Sequence, residues 1–278
     1  MRSPLNKRLF RELRGEFGKY LVIFILMTLT IGMVSGFLVA DGSMIQAYEE
    51  SFEKYSIENG HFRTEKKMNN AQIQDIEDLG IKLYENYYVE EALTNGSTMR
   101  IFKNRDEVNK VCLMKGKMPE KPGEIGIDRM YADNNDLSVG DEIESGGHTW
   151  KITGLVALSD YSALFSNNND SMFDSVKFGV SVVCPEEFDS YKADQLNYSY
   201  AWKYNTEPKN EKAEKDISED LMEDVAKEVT LEEFVPRYTN QAIIFTGDDM
   251  GGDRSMMIVL LYIIIVIMAF VFAITTNN

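Results

Sequence analysis

Two blocks of the chain contain no charged residue, and each is long enough to cross a lipid bilayer. The first covers 21–40, LVIFILMTLTIGMVSGFLVA, and the second covers 256–276, MMIVLLYIIIVIMAFVFAITT. In a helix, about 20 apolar residues match a hydrocarbon core ~30 Å thick. A helix satisfies its own backbone hydrogen bonds, which lipid cannot do for it. Both blocks are therefore read as transmembrane helices. A cleaved signal peptide is the rival reading of the first block. Its apolar run exceeds the roughly 7–15 residues of a signal core. Leu38-Val39-Ala40 also puts a bulky residue where cleavage favours a small one.

Charge sets the expected orientation. Residues 1–20 hold Arg2, Lys7, Arg8, Arg11, Arg14 and Lys19 against Glu12 and Glu16, whereas the other flank begins at Asp41 and soon reaches Glu49, Glu50 and Glu53. Lys and Arg mark the cytoplasmic side, which puts the N-terminus inside and 41–255 outside. Residues 41–255 carry 23 Lys and Arg against 43 Asp and Glu, a balance of −20. Such a surface repels phosphates and argues against nucleic acid as a partner. Cys112 and Cys184 both fall in apolar, strand-like runs, where free cysteine behaves as a small buried hydrophobe.

The expected division is a basic amphipathic helix over 1–20, a first span over 21–40, a mixed α+β domain over 41–255, a second span over 256–276 and a short inner end at 277–278. Leu5, Leu9, Leu13 and Phe17 give the opening helix an apolar face that suits a surface of anionic membrane lipids. In the first span Thr28, Gly32, Gly36 and Ala40 recur every fourth residue. Small residues at this spacing let another transmembrane helix approach closely. Met44, Ala47, Tyr48, Phe52 and Tyr55 keep a helical period beyond the span and predict a stalk.

Inside the domain, a helix is expected over 69–79, with Asn70 as its cap. Strands are expected over 82–93, 97–102, 109–114, 124–128, 142–144, 149–156, 178–184, 198–204 and 241–245. Gly146-Gly147 is the turn of a hairpin. The stretch 207–228 is helix-forming, and 246–255 reads as a Gly-rich loop.

No catalytic or metal constellation emerges, and no cofactor is expected. His61 and His148 stand alone, without partners at zinc spacing. The G-x-x-x-x-G-K-[ST] phosphate loop is absent. Asp248, Asp249 and Asp253 do not follow the order of a calcium loop.

One ordered set of turns is distinctive. Gly116-Lys117-Met118-Pro119 is followed by Gly123-Glu124-Ile125-Gly126-Ile127-Asp128, then Leu137-Ser138-Val139-Gly140-Asp141, then Ile152-Thr153-Gly154. With the basic start and the flanking spans, this resembles the FtsX-like, MacB-like permease family of ABC transporters. The resemblance covers nearly the whole chain, and its ending looks like the second-span entry of the large clostridial-type members. It implies a permease subunit that is not itself an enzyme, a separate cytoplasmic ATPase, a second permease copy or half, and a cargo that the family leaves open. It also implies further spans, so that this chain is the N-terminal part of a permease. Two other plans share the layout: a two-span sensor, and an anchored binding module.

Overall fold

The computed structural model describes residues 14–276. Most of the basic opening helix expected over 1–20 lies outside that range, as do 277–278. Of the described residues, those up to Tyr48 and from Gly247 form one compact unit, and Glu49–Thr246 forms another.

The first unit belongs to two long helices, α1 (Phe17–Lys54) and, at the far end of the chain, a helix over Gln241–Thr276. Both are long and apolar enough to cross a membrane, and almost nothing covers their most apolar stretches. Phe24, Leu29, Met33 and Val39 on the first, and Tyr262 and Phe270 on the second, are open. A soluble protein buries such surface; a lipid phase is the solvent it requires. The first span and the expected stalk are one uninterrupted helix. Its less exposed positions, Thr30, Val34, Leu38, Asp41, Ile45 and Tyr48, are three or four residues apart, the spacing of one helical face. Within this unit the Tyr48 ring lies against Gly247, where a Cβ would stand 2.6 Å from it.

The Glu49–Thr246 unit holds two sheets. After α1 come β1 (Gly60–Thr64), α2 (Asn70–Glu77) and β2 (Ile81–Glu85). Then follow β3 (Tyr88–Ala92), β4 (Thr98–Lys103), β5 (Val111–Gly116), β6 (Glu124–Asp128), α3 (Arg129–Asn134), β7 (Glu142–Ser145), β8 (His148–Leu158) and β9 (Phe178–Val183). A short α4 (Pro185–Phe188) leads to β10 (Tyr198–Tyr204), α5 (Glu211–Glu228), β11 (Leu231–Pro236) and finally α6 (Gln241–Thr276).

The first sheet is antiparallel, in the order β11-β1-β10-β2. The second runs β3-β4-β9-β6-β8-β5, with β4–β9 and β6–β8 parallel and β7 sharing the outer edge of β8. The second sheet is an insertion between β2 and β10. Each long helix therefore connects to the first sheet, through β1 and β11, which are hydrogen-bonded neighbours.

Several elements differ from expectation for visible reasons. The run 82–93 is two strands, split at Asn86-Tyr87 and shared between the sheets. Asn69, not Asn70, caps α2, completing a box with Gln72. Residues 241–245 are the first turn of α6, and 246–255 continue it. Asn240 decides this: its Oδ1 accepts from Ala242 N–H at 3.1 Å and its carbonyl accepts from Ile244 N–H at 2.9 Å. Asp248, Asp249 and Asp253 thus sit on a helix rather than a loop. The strands β1 and β11 carry no apolar alternation strong enough to announce them.

Aromatic stacking fills the first sheet: Phe62 lies 5.6 Å from Tyr200, and Trp202 lies 4.8 Å from Phe234. Trp150, Tyr131, Ile125, Ile127 and Ile152 are fully buried in the second. Gly60 leaves no room beside Trp202: a Cβ there would collide with the indole and with Val235 O, 2.7 Å away. Gly60→Ala is expected to cost about 1–3 kcal/mol, the usual penalty for overpacking, read as a lower denaturation midpoint of the detergent-solubilised chain.

Candidate functional site

The turns that carry the family resemblance fold as scaffold. Gly116, at φ +80°, passes so close to Thr153 O that no Cβ fits, and a Cβ on Gly154 would stand 2.5 Å from Lys117 O. Glu124 accepts from Glu120 N–H at 2.9 Å, and Pro119 packs beside Gly126. Asp128 caps α3 through Met130 N–H at 2.7 Å; burial pushes its carboxyl up to about 6, against the helix N–H bonds that lower it. Asp141 accepts from Ser138 N–H at 2.8 Å, beside Gly140 at φ +106°. These residues hold β5, β6 and β8 together, and none lines the largest cleft. Thr28, Gly32, Gly36 and Ala40 lie elsewhere, on α1. Among the described residues nothing stands within 4 Å of where a Cβ would sit on Gly32 or Gly36, and Thr28 Oγ1 donates to Phe24 O at 2.8 Å. The chain's own second helix does not occupy that face.

The largest cleft, about 610 Å³, lies between the two sheets. One wall comes from β1 and β10, with His61, Arg63 and Ser199, and another from β3 and β4, with Glu90 and Arg100. The loop 160–177 and the first turn of α6 close it. That loop is tied to α6 directly. Ser162 Oγ donates toward Ala242 O at 2.8 Å and Ile243 O at 2.9 Å, and Asn168 Oδ1 accepts from Gln241 N–H at 2.8 Å.

At the base of the cleft sits a buried charge network. Glu58 Oε1 is 2.6 Å from His61 Nδ1, and Glu58 Oε2 accepts from Asn109 Nδ2 at 2.6 Å. Asp160 accepts two bonds from Arg105, at 2.7 and 2.8 Å, and Arg105 also reaches Asn86 Oδ1 at 2.8 Å. Glu58 and Asn109 are fully buried. Burial alone would raise the Glu58 carboxyl; the charge and hydrogen bond of His61, then Asn109 and Arg105, outweigh it and hold it low. Burial alone would lower His61; Glu58 chiefly, with Glu233 and Asp160, outweighs it and raises the imidazole. Higher on the wall, Arg100 bonds Glu90 at 2.6 Å, Tyr161 at 2.7 Å and Ser166 O at 2.9 Å, and lies over the Tyr88 ring.

None of the cleft residues except His61 stood out in the sequence. They come from separate segments around 60, 86, 100, 160, 168 and 240, without a shared motif. Both cysteines are free; Cys112 accepts from Tyr55 Oη at 3.2 Å.

Partial structural likenesses to solved structures include two extracytoplasmic domains of transporters. The periplasmic region of MacB from Actinobacillus actinomycetemcomitans superposes with a TM-score of 0.34 at 10% identity, covering 62% of this chain and 86% of that one. The extracellular domain of the noncanonic ABC-type transporter YknZ from Gram-positive bacteria gives 0.34 at 10% identity, covering 60% and 93%. No family model and no curated protein matches the sequence.

Two outcomes follow from the network. Asp160→Ala leaves the Arg105 guanidinium buried and unpaired, and is expected to cost about 3–5 kcal/mol, seen in denaturant unfolding. The Glu58–His61 pair also predicts a pH window. The lowered Glu58 contributes stability that is present above its unfolded value of 4.5 and is lost as pH falls through its folded value. The raised His61 contributes stability that is complete below its unfolded value of 6.5 and is lost as pH rises through its folded value. Thermal unfolding should therefore show a maximum between those values that His61→Gln flattens on the alkaline side.

Proposed function

We propose that this chain is a permease subunit of the FtsX-like, MacB-like ABC transporters, coupling a separate cytoplasmic ATPase to movement of an extracytoplasmic domain. The observation that carries the reading is the attachment of the domain. Both apolar helices connect to one sheet, through the paired strands β1 and β11, and the second sheet is inserted beyond it. A shift of one helix along the other would load the β1–β11 ladder directly. The ordered turns from Gly116 to Gly154 support the same family.

On this reading the basic N-terminal flank is cytoplasmic and 41–255 lies outside, as the positive-inside rule directs. The chain carries no phosphate loop, and ATP hydrolysis belongs to the partner subunit. The open small-residue face of Thr28, Gly32, Gly36 and Ala40 receives a span from a second permease copy or half. The cargo class is export substrates, lipoproteins or antimicrobial peptides.

The test is purification of the tagged gene product from its own membranes. Co-purification of an ATP-binding-cassette ATPase is expected, and its absence from a folded preparation would sink the reading. Gly36→Leu is expected to reduce assembly several-fold in crosslinking while leaving the unfolding midpoint of the outer domain in place.

A further inference from the structure

The cleft between the sheets has hydrogen-bond donors to spare. Asn86, Asn167, Asn168 and Asn240 line it, and in each the amide oxygen is already used. Asn86 Oδ1 accepts from Arg105 at 2.8 Å, and Asn167 Oδ1 from Asn169 N–H at 2.9 Å. Asn168 Oδ1 accepts from Gln241 N–H at 2.8 Å, and Asn240 Oδ1 from Ala242 N–H at 3.1 Å. Guanidinium and backbone N–H groups only donate, so these partners fix which end of each amide is oxygen. The NH2 ends are then the free ends, and no hydrogen bond from them occurs among the described residues. Asn86 and Asn240 are each only 5% exposed, so these are built-in groups rather than surface decoration.

The charged groups point the same way. Lys177 lines the cleft with its ammonium unpaired among the described residues, whereas Arg63 is paired with Glu232 at 2.7 Å and leaves only its buried Nε without a hydrogen bond. The carboxylates are mostly committed to the walls. Glu90 holds Arg100, Asp160 holds Arg105, and Asp174 Oδ1 accepts from the N–H groups of Val176 and Lys177. Glu233 sits 3.7 Å from Arg63 Nε. Asn197 alone among the lining amides spends its NH2 on the wall, at Tyr88 O.

We propose that this cleft binds a small organic carboxylate, with Lys177 and the amide NH2 groups of Asn86, Asn168 and Asn240 donating to it. A volume of about 610 Å³ falls within the usual ~300–1,000 Å³ of small-molecule sites. A neutral polyol would leave the Lys177 ammonium without a counter-charge. Elsewhere the acidic domain repels a carboxylate, so the cleft is where such a ligand finds unpaired donors. Asn240 caps α6 and Asn168 binds its first turn, so occupancy would bear on the start of that helix. The inference rests on the cleft alone and does not depend on the permease reading.

The test is calorimetric titration of the full chain in detergent micelles with citrate and with N-acetyltriglycine, each against its neutral ester or amide. At least one acid is expected to bind with Kd below roughly 1 mM, and its neutral derivative at least about tenfold more weakly. Asn240→Asp keeps the helix cap, because a carboxylate oxygen still accepts from Ala242 N–H, but turns a donor into an acceptor. It should weaken binding at least about tenfold with the unfolding midpoint unchanged, and the exposed Lys177→Ala should weaken it several-fold. Equal binding of acid and neutral derivative would overturn the proposal. So would wild-type affinity in both variants, or no saturation by either acid up to roughly 10 mM.

Discussion

The buried network of Glu58, His61, Asn109, Asp160 and Arg105 is the polar bolt between the two sheets. Glu58 precedes β1 in the first sheet. Arg105 and Asn109 lie between β4 and β5, and Asp160 follows β8, all in the second. Asn86, where the chain first crosses between sheets, completes it through Arg105. Apolar packing alone would let two sheets slide, because hydrophobic contact is not directional. A bidentate Arg105–Asp160 pair and a Glu58 carboxylate with both oxygens bonded admit one arrangement. Arg105 Nε is left buried without a partner, so the network is not fully compensated. Its contribution is to geometry more than to net stability.

That bolt explains why the largest cleft is where it is. Two sheets joined at a charged base leave a wedge above it, and the loop 160–177 with the first turn of α6 closes the open side. Charged groups stabilise one another at the base, while the amides above bond to backbone and arginine. The result is a wall in which four amides have their oxygens bonded and their NH2 groups unbonded among the described residues.

The sequence made some of this legible and left the rest dark. The two long helices followed from the uncharged blocks, since nothing else accommodates such surface. Strands β6 and β10 begin and end where their alternation does. The first turn of α6 did not. AIIF is short, apolar and β-branched, and periodicity cannot separate a strand from a helix over so few residues. Asn240 and Ser162 settle it through hydrogen bonds, one of them to a residue some eighty positions away. β1 stayed hidden because GHFRT puts His61 and Arg63 on the face toward the cleft, so its composition reads as loop. The cleft itself could not be read, because its donors become unspent only when the fold assigns each amide oxygen a partner.

The acidic balance of the domain gains a meaning from this placement. Spread over a surface, 43 carboxylates against 23 cations serve solubility and say little about ligands. The fold does not spread them evenly. It draws Arg63, Arg100, Arg105, His61 and Lys177 into or beside one cleft and commits most to carboxylates there. Paired charges cost less to desolvate than single ones, so a wedge of cations matched by carboxylates is the form in which an acidic domain can bury charge between two sheets. Lys177, at the rim, has no such partner among the described residues. A structural account covers the paired cations and stops at that one, together with the unbonded NH2 groups of the four lining amides. The amide oxygens hold Arg105, the loop and the first turn of α6 in place, whereas the NH2 ends and the Lys177 ammonium hold nothing among the described residues.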